Sequence, residues 1–137
     1  MAKVLIPLAQ GCEELEAVTL IDLLRRADIQ VVCAGLQPGP VVCSRGTVLV
    51  PDRSLAEIVD EDFDMVVLPG GQPGTKNLSA DRLLISLLQK MARQERYTCA
   101  ICAAPAVLAA AGLLKNKQAT AVGAKLVVIP KIHTPST

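Results

Sequence analysis

Short, continuously apolar runs alternate along this chain with stretches of helical period, and that alternation restricts the fold more than any other feature. The runs are Val4 to Ala9, Gln30 to Leu36, Asp64 to Leu68 and Tyr97 to Ile101. Helical patterns lie between and after them, from Glu13 to Ala27, from about Ser79 to Glu95, and from Ala106 to Ala111 with Gly112 as the stop. Strands that are apolar throughout, rather than on every second residue, are covered on both faces. Interleaved with helices, they predict a mostly parallel sheet in an α/β domain. Three lesser elements fit between them. Val41 to Val50 reads as a hairpin turned at Ser44-Arg45-Gly46, Ser54 caps a short helix through Ile58 with Glu57 completing a capping box, and Pro69 to Gly74 is a loop. Beyond Gly112 the pattern weakens. Residues 118–122 and 125–129 read as two short strands, and 130–137 as a polar tail.

The 137 residues form one domain, numbered 1–137, with 51% hydrophobic residues but one Phe, one Tyr and no Trp, so the interior is aliphatic. A net charge of +1 and two aromatics offer neither an electrostatic footprint for nucleic acid nor a platform for stacking bases. The apolar part of the N-terminus is too short for a signal peptide, and no run approaches the roughly 18 residues of a membrane span. Five cysteines, an odd number without scaffold spacing, read as thiols in a reducing compartment. A cytoplasmic protein without membrane or nucleic-acid partners is expected. Cys99 and Cys102 form a C-x-x-C, but an odd separation along one strand points them to opposite faces, and further zinc ligands are not at hand. No metal and no cofactor is expected.

The segment Ala100-Ile101-Cys102-Ala103-Ala104-Pro105 breaks a strand on a cysteine and starts a helix at once. Such a junction lies at the carboxyl edge of a sheet, where open α/β folds bind ligands. It has the form of a nucleophile elbow with sulfur in place of serine oxygen. Backbone N–H groups at a helix start are expected to lower the thiol pKa and leave it partly ionised near neutrality. Gly11-Cys12-Glu13-Glu14-Leu15-Glu16 opens the first helix from the same edge. Glu13 and Glu14 read as charge at a helix N-terminus. Glu16 shares a stripe with Leu20, Leu23 and Ala27 at about 100° per residue, so it is expected to be desolvated, with a raised pKa, and able to exchange a proton with sulfur or substrate. Gly70 and Gly71, directly after the third strand, allow close backbone approach. With the N–H of Ala103 they are candidates to stabilise an oxyanion, against the plainer reading of a tight turn. The order G-x-G-x-x-G and a P-loop are absent. His133, the sole histidine, lies in the polar tail and is not expected to be catalytic.

Four segments in order resemble the ThiJ/PfpI superfamily, in the branch of the parkinsonism-associated protein deglycase and its bacterial relatives. They are Gly11-Cys12-Glu13-Glu14-Leu15-Glu16-Ala17, Cys43-Ser44-Arg45-Gly46, Val67-Leu68-Pro69-Gly70-Gly71 and Ala100-Ile101-Cys102-Ala103-Ala104-Pro105. The resemblance covers Ala2 to about Leu114. It implies a flavodoxin-like three-layer sandwich, usually a homodimer, lacking here the family's C-terminal strands and helix. It also implies Cys102 as a nucleophilic, oxidation-sensitive thiol, Glu16 as its acid partner, and Gly70, Gly71 and Ala103 at oxyanion-binding positions. Arg45 is a candidate anion or dimer-edge contact. The implied activity is a cofactor-independent glyoxalase or deglycase, a hydrolase or lyase acting on methylglyoxal-like aldehydes or on their early adducts with proteins. The alternatives are an oxidative-stress sensor or chaperone working through a sulfinic acid at Cys102, and an inactive truncated form. A peptidase would need a histidine directly after the cysteine, where Ala103 stands. Members of the branch also carry a histidine in a Thr-x-His-Pro-like stretch, and Val122 occupies its place here.

Overall fold

The computed structural model describes residues 2–115, together with 117, 119, 121 and 122. Five parallel strands form the central sheet: β1 (Lys3–Leu8), β2 (Gln30–Gly35), β5 (Arg53–Ser54), β6 (Met65–Leu68) and β7 (Tyr97–Ala100), in the order β5-β2-β1-β6-β7. A separate antiparallel hairpin pairs β3 (Val41–Val42) with β4 (Val48–Leu49), turning through Ser44, Arg45 and Gly46 as its sequence requires. The helices are α1 (Glu14–Arg26), α2 (Leu55–Ile58), α3 (Gly74–Ala80), α4 (Arg82–Arg93) and α5 (Pro105–Ala110). This is the flavodoxin-like α/β layering expected from the alternation of apolar runs and helices.

Strand side chains alternate between two cores. Leu5, Val66, Leu68 and Ala100 face one layer with Leu78, Leu84, Leu88 and Val107 of α3, α4 and α5. Val4, Ile6, Leu8 and Val67 face the other, with Ala17, Leu20, Ile21 and Leu24 of α1 and with Val41 and Cys43 of the hairpin. Cys99 packs into this second core, so it lies on the face opposite Ala100, and Cys102 belongs to neither cluster. The C-x-x-C therefore does not form a pair.

Two elements depart from the sequence reading. The helix expected from 79 to 95 is two helices, because Asp81 adopts extended backbone (φ −81°, ψ 111°) and its carboxylate caps α4 by accepting from Leu84 N–H at 2.9 Å. The first of the two, α3, starts at Gly74, inside the segment read as loop. Strand β5 is only two residues long and pairs with Ala34 and Gly35 at the sheet edge, too short to leave a pattern. The short strands expected at 118–122 and 125–129, the tail and His133 lie wholly or partly outside the described residues.

Thr75, at the start of α3, is 3% exposed, and among the described residues its hydroxyl has no hydrogen-bond partner. An unpaired buried hydroxyl costs about 1–3 kcal/mol. Thr75→Val is expected to stabilise the fold by roughly 1 kcal/mol, read as a higher urea midpoint at unchanged slope. A lower midpoint would mean that the hydroxyl is satisfied.

Candidate active site

In the strand order, β2 and β6 lie on opposite sides of β1, so the chain reverses its direction of travel across the sheet between β1 and β6. Such a switch point opens a crevice at the carboxyl ends of the strands. Three loops meet there, following β1, β6 and β7. The β7 loop is a sharp elbow. Ile101 N–H still donates to Leu68 O at 3.1 Å, Ala104 N–H donates back to Ile101 O at 2.9 Å, and Pro105 opens α5. Between them Cys102 is held at φ +56°, a left-handed conformation that costs a non-glycine residue on the order of 1 kcal/mol. The cysteine is exposed, so the elbow presents its sulfur to solvent.

Glu16 reaches this elbow from the first turn of α1. Its Oε1 accepts the Gly70 N–H at 2.9 Å, and its carboxyl lies beside the Cys102 side chain across Gly70. The expected burial of the Glu16 stripe does not hold along the helix, since Leu23 is 60% exposed and Ala27 is exposed too. Glu16 is half-buried because the elbow and the Gly70 loop close over it, not because the core does. A β-carbon on Gly70 would stand 2.8 Å from Glu16 Oε1, 2.9 Å from Cys102 Cβ and 3.0 Å from Ala103 N. Thiol, acid and backbone N–H therefore converge on one point, which only glycine leaves open. Gly71, at φ +91°, packs its backbone on Glu13, whose N–H donates to Gly70 O at 2.9 Å.

The donor set differs from expectation at one position. Gly70 spends its N–H on Glu16, so it is not free for an oxyanion. Ala103 N–H is directed at the Cys102 sulfur, and among the described residues Gly71 N–H has no protein acceptor.

The thiol also behaves differently. Partial desolvation pushes the Cys102 pKa up, the hydrogen bond and charge of Glu16 push it further, and Glu13 adds a smaller push. The Ala103 N–H pulls the other way without prevailing. The expected lowering at a helix start fails because burial of the thiol and then the neighbouring Glu16 carboxyl outweigh the Ala103 N–H.

Glu14, read as helix-end charge, has a more specific part. Its carboxylate accepts from Arg45 N–H at 3.2 Å and Thr47 N–H at 3.1 Å, tying the hairpin turn to α1, while Glu13 caps the helix by accepting from Leu15 N–H. Desolvation opposes ionisation of Glu14, but the backbone donors outweigh it and hold the pKa at about 2. A depressed carboxyl contributes stability that is present above the unfolded value of 4.5 and is lost as pH falls toward 2. The amide resonances of Arg45 and Thr47 are expected to shift with a midpoint near 2. A midpoint at 4.5 would remove the tether. Arg45 itself is exposed at the hairpin tip. Val122 N–H donates to Cys102 O at 2.9 Å, so this exposed valine flanks the elbow.

Among the described residues no three His, Cys, Asp or Glu side chains are grouped to hold a metal ion, and no helix is long and apolar enough to cross a membrane.

Residues 2–129 match the model of the DJ-1/PfpI family. The chain belongs to that family. Among curated DJ-1/PfpI relatives, it is 44% identical over 117 residues to Protein dj-1beta of Drosophila melanogaster, an alignment covering 85% of this chain and 63% of the fly protein. It is 34% identical over 116 residues to the glutathione-independent glyoxalase DJR-1.2 of Caenorhabditis elegans, covering 85% of this chain and 61% of that one. The chain thus spans less than two thirds of the length of these relatives. Among solved structures, oxidized DJ-1 of Toxoplasma gondii superposes with a TM-score of 0.86 at 38% identity, covering 88% of this chain and 67% of that one. Drosophila melanogaster DJ-1beta gives 0.85 at 41% identity, covering 88% and 65%. The DJ-1/PfpI fold is therefore kept across the part of the chain that builds the elbow.

Proposed function

We propose that this protein is a cofactor-independent glyoxalase or deglycase, acting in the cytoplasm on methylglyoxal-like aldehydes or on their early adducts with proteins. The observation that carries this reading is an exposed cysteine, fixed in a left-handed elbow, beside a carboxyl group that Gly70 N–H anchors. The name of the nematode relative supports the substrate class.

Sulfur attacks the aldehyde carbon while Glu16 takes the thiol proton, giving a hemithioacetal whose developing oxyanion meets the N–H groups of Gly71 and Ala103. Glu16 returns that proton to the oxygen. The carboxylate then removes hydrogen from the former aldehyde carbon, and the resulting enediol takes the proton back on the neighbouring carbon. The product is a thioester, and water releases the hydroxy acid and restores the thiol. In this cycle one carboxyl group serves each proton transfer in turn. The test is lactate formation from methylglyoxal with no glutathione added. Equal rates for the wild-type and Cys102→Ser proteins would remove the enzyme from consideration.

The exposure of Cys102 also favours a second reading, an oxidative-stress sensor. Here peroxide converts the thiol to the sulfinic acid, with protonated Glu16 donating to it. Selective gain of two oxygens at Cys102 with negligible lactate formation would select it. A homodimer is part of the proposal. It is supported by exposed Leu15 and Val18 on α1 and exposed Val48 and Val50 at the hairpin, and sedimentation velocity reads it directly.

A further inference from the structure

Cys12 and Cys43 take no part in the chemistry above, yet their sulfur atoms lie 3.8 Å apart in the second core. Cys12 sits in the turn before α1 and Cys43 at the end of the first hairpin strand, 31 residues on. Two backbone hydrogen bonds bracket the pair: Gly11 N–H donates to Val42 O at 2.8 Å, and Ser44 N–H donates to Cys12 O at 2.8 Å. The two backbones are therefore held together on either side of the sulfurs. A disulfide bond is about 2.05 Å long, so less than 2 Å of side-chain movement separates contact from bond.

We propose that Cys12 and Cys43 are a redox-modifiable pair that closes to an intramolecular disulfide, bracing the hairpin against the loop that carries Glu13. With a peroxide as oxidant, one thiol becomes a sulfenic acid with release of water. The second sulfur displaces hydroxide from it, forming the S–S bond and a second water. The two sulfurs together lose two electrons, which reduce the peroxide.

Access controls the rate. Cys12 is 0% exposed and Cys43 4%, so the oxidant reaches them only when the hairpin opens. Two residues per strand make that hairpin a marginal unit, held partly by the Glu14 tether. Burial, followed by the proximity of Cys43, also pushes the Cys12 thiol up to about 12. Closure is accordingly slow at neutral pH and faster in alkali, and distinct from chemistry at exposed Cys102.

The experiment treats the full Cys102→Ser chain with diamide at pH 8.5. Diamide takes up the two electrons and two protons and stops at the disulfide. The expected result is loss of two hydrogens from the intact mass and a cross-link between Cys12 and Cys43. Fragment ions are needed because Cys33 shares its tryptic peptide with Cys43. The melting temperature is expected to rise by on the order of 5 °C and return after reduction. Introducing Cys12→Ser or Cys43→Ser separately should each abolish the mass loss. The proposal is overturned if either serine variant still loses two hydrogens, if the cross-link maps to Cys33 or Cys99, or if every thiol stays alkylatable after denaturation.

Discussion

Glu16→Gln is expected to slow lactate formation by about 10²–10⁴-fold, and Cys102→Ser to remove it to within the background rate. The two losses have separable causes. Serine leaves the elbow and its acid in place but supplies a far poorer nucleophile. Glutamine leaves the sulfur in place but cannot carry a proton. The thiol itself reports the difference. Desolvation and the Glu16 carboxylate together raise the Cys102 pKa, so removing the carboxylate's charge should lower the midpoint at which iodoacetamide alkylates Cys102. The glutamine variant should thus be more reactive toward an alkylating agent at neutral pH while being a poorer enzyme. A purely structural Glu16 would lower both together, and that outcome would end its assignment as the proton carrier.

Gly70→Ala is expected to lower turnover by about 100-fold while leaving the secondary structure intact. The added methyl group would meet Glu16 Oε1, Cys102 Cβ and Ala103 N at 2.8, 2.9 and 3.0 Å. None of these can yield without consequence, because each is one of the groups that the reaction uses. A misplacement of 1 Å in a reacting constellation costs roughly 10²-fold. The circular dichroism spectrum should be unchanged, since the residue lies outside every strand and helix. Retention of full activity would show that thiol and acid act independently of this contact point.

The sheet and the elbow are legible in the sequence because each rests on local chemistry. Apolar runs such as Val4 to Leu8 announce doubly covered strands, and a cysteine between a strand and Pro105 leaves little choice of geometry. What escaped prediction depends on partners far along the chain. Helix α3 begins within Pro69 to Gly74, where glycine and proline imitate a plain loop. The titration of Cys102 is set by burial first and then by the Glu16 carboxyl 86 positions earlier in the chain, not by the helix that follows it. Glu14 reads in the sequence as generic helix-end charge, whereas the hairpin amides it accepts from lie 31 and 33 positions away. Leu23 counted toward a buried stripe, but no element covers that side of α1 among the described residues.

The backbone-on-backbone contact between Gly71 and Glu13 has a consequence for how substrate preference could diverge among proteins with this elbow. The floor of the crevice is main chain, and main chain offers the same surface whatever the neighbouring codons become. Selectivity has to be written at the rim, at positions such as exposed Val122 and Gln72, where side chains can change size and polarity without disturbing the reacting groups beneath.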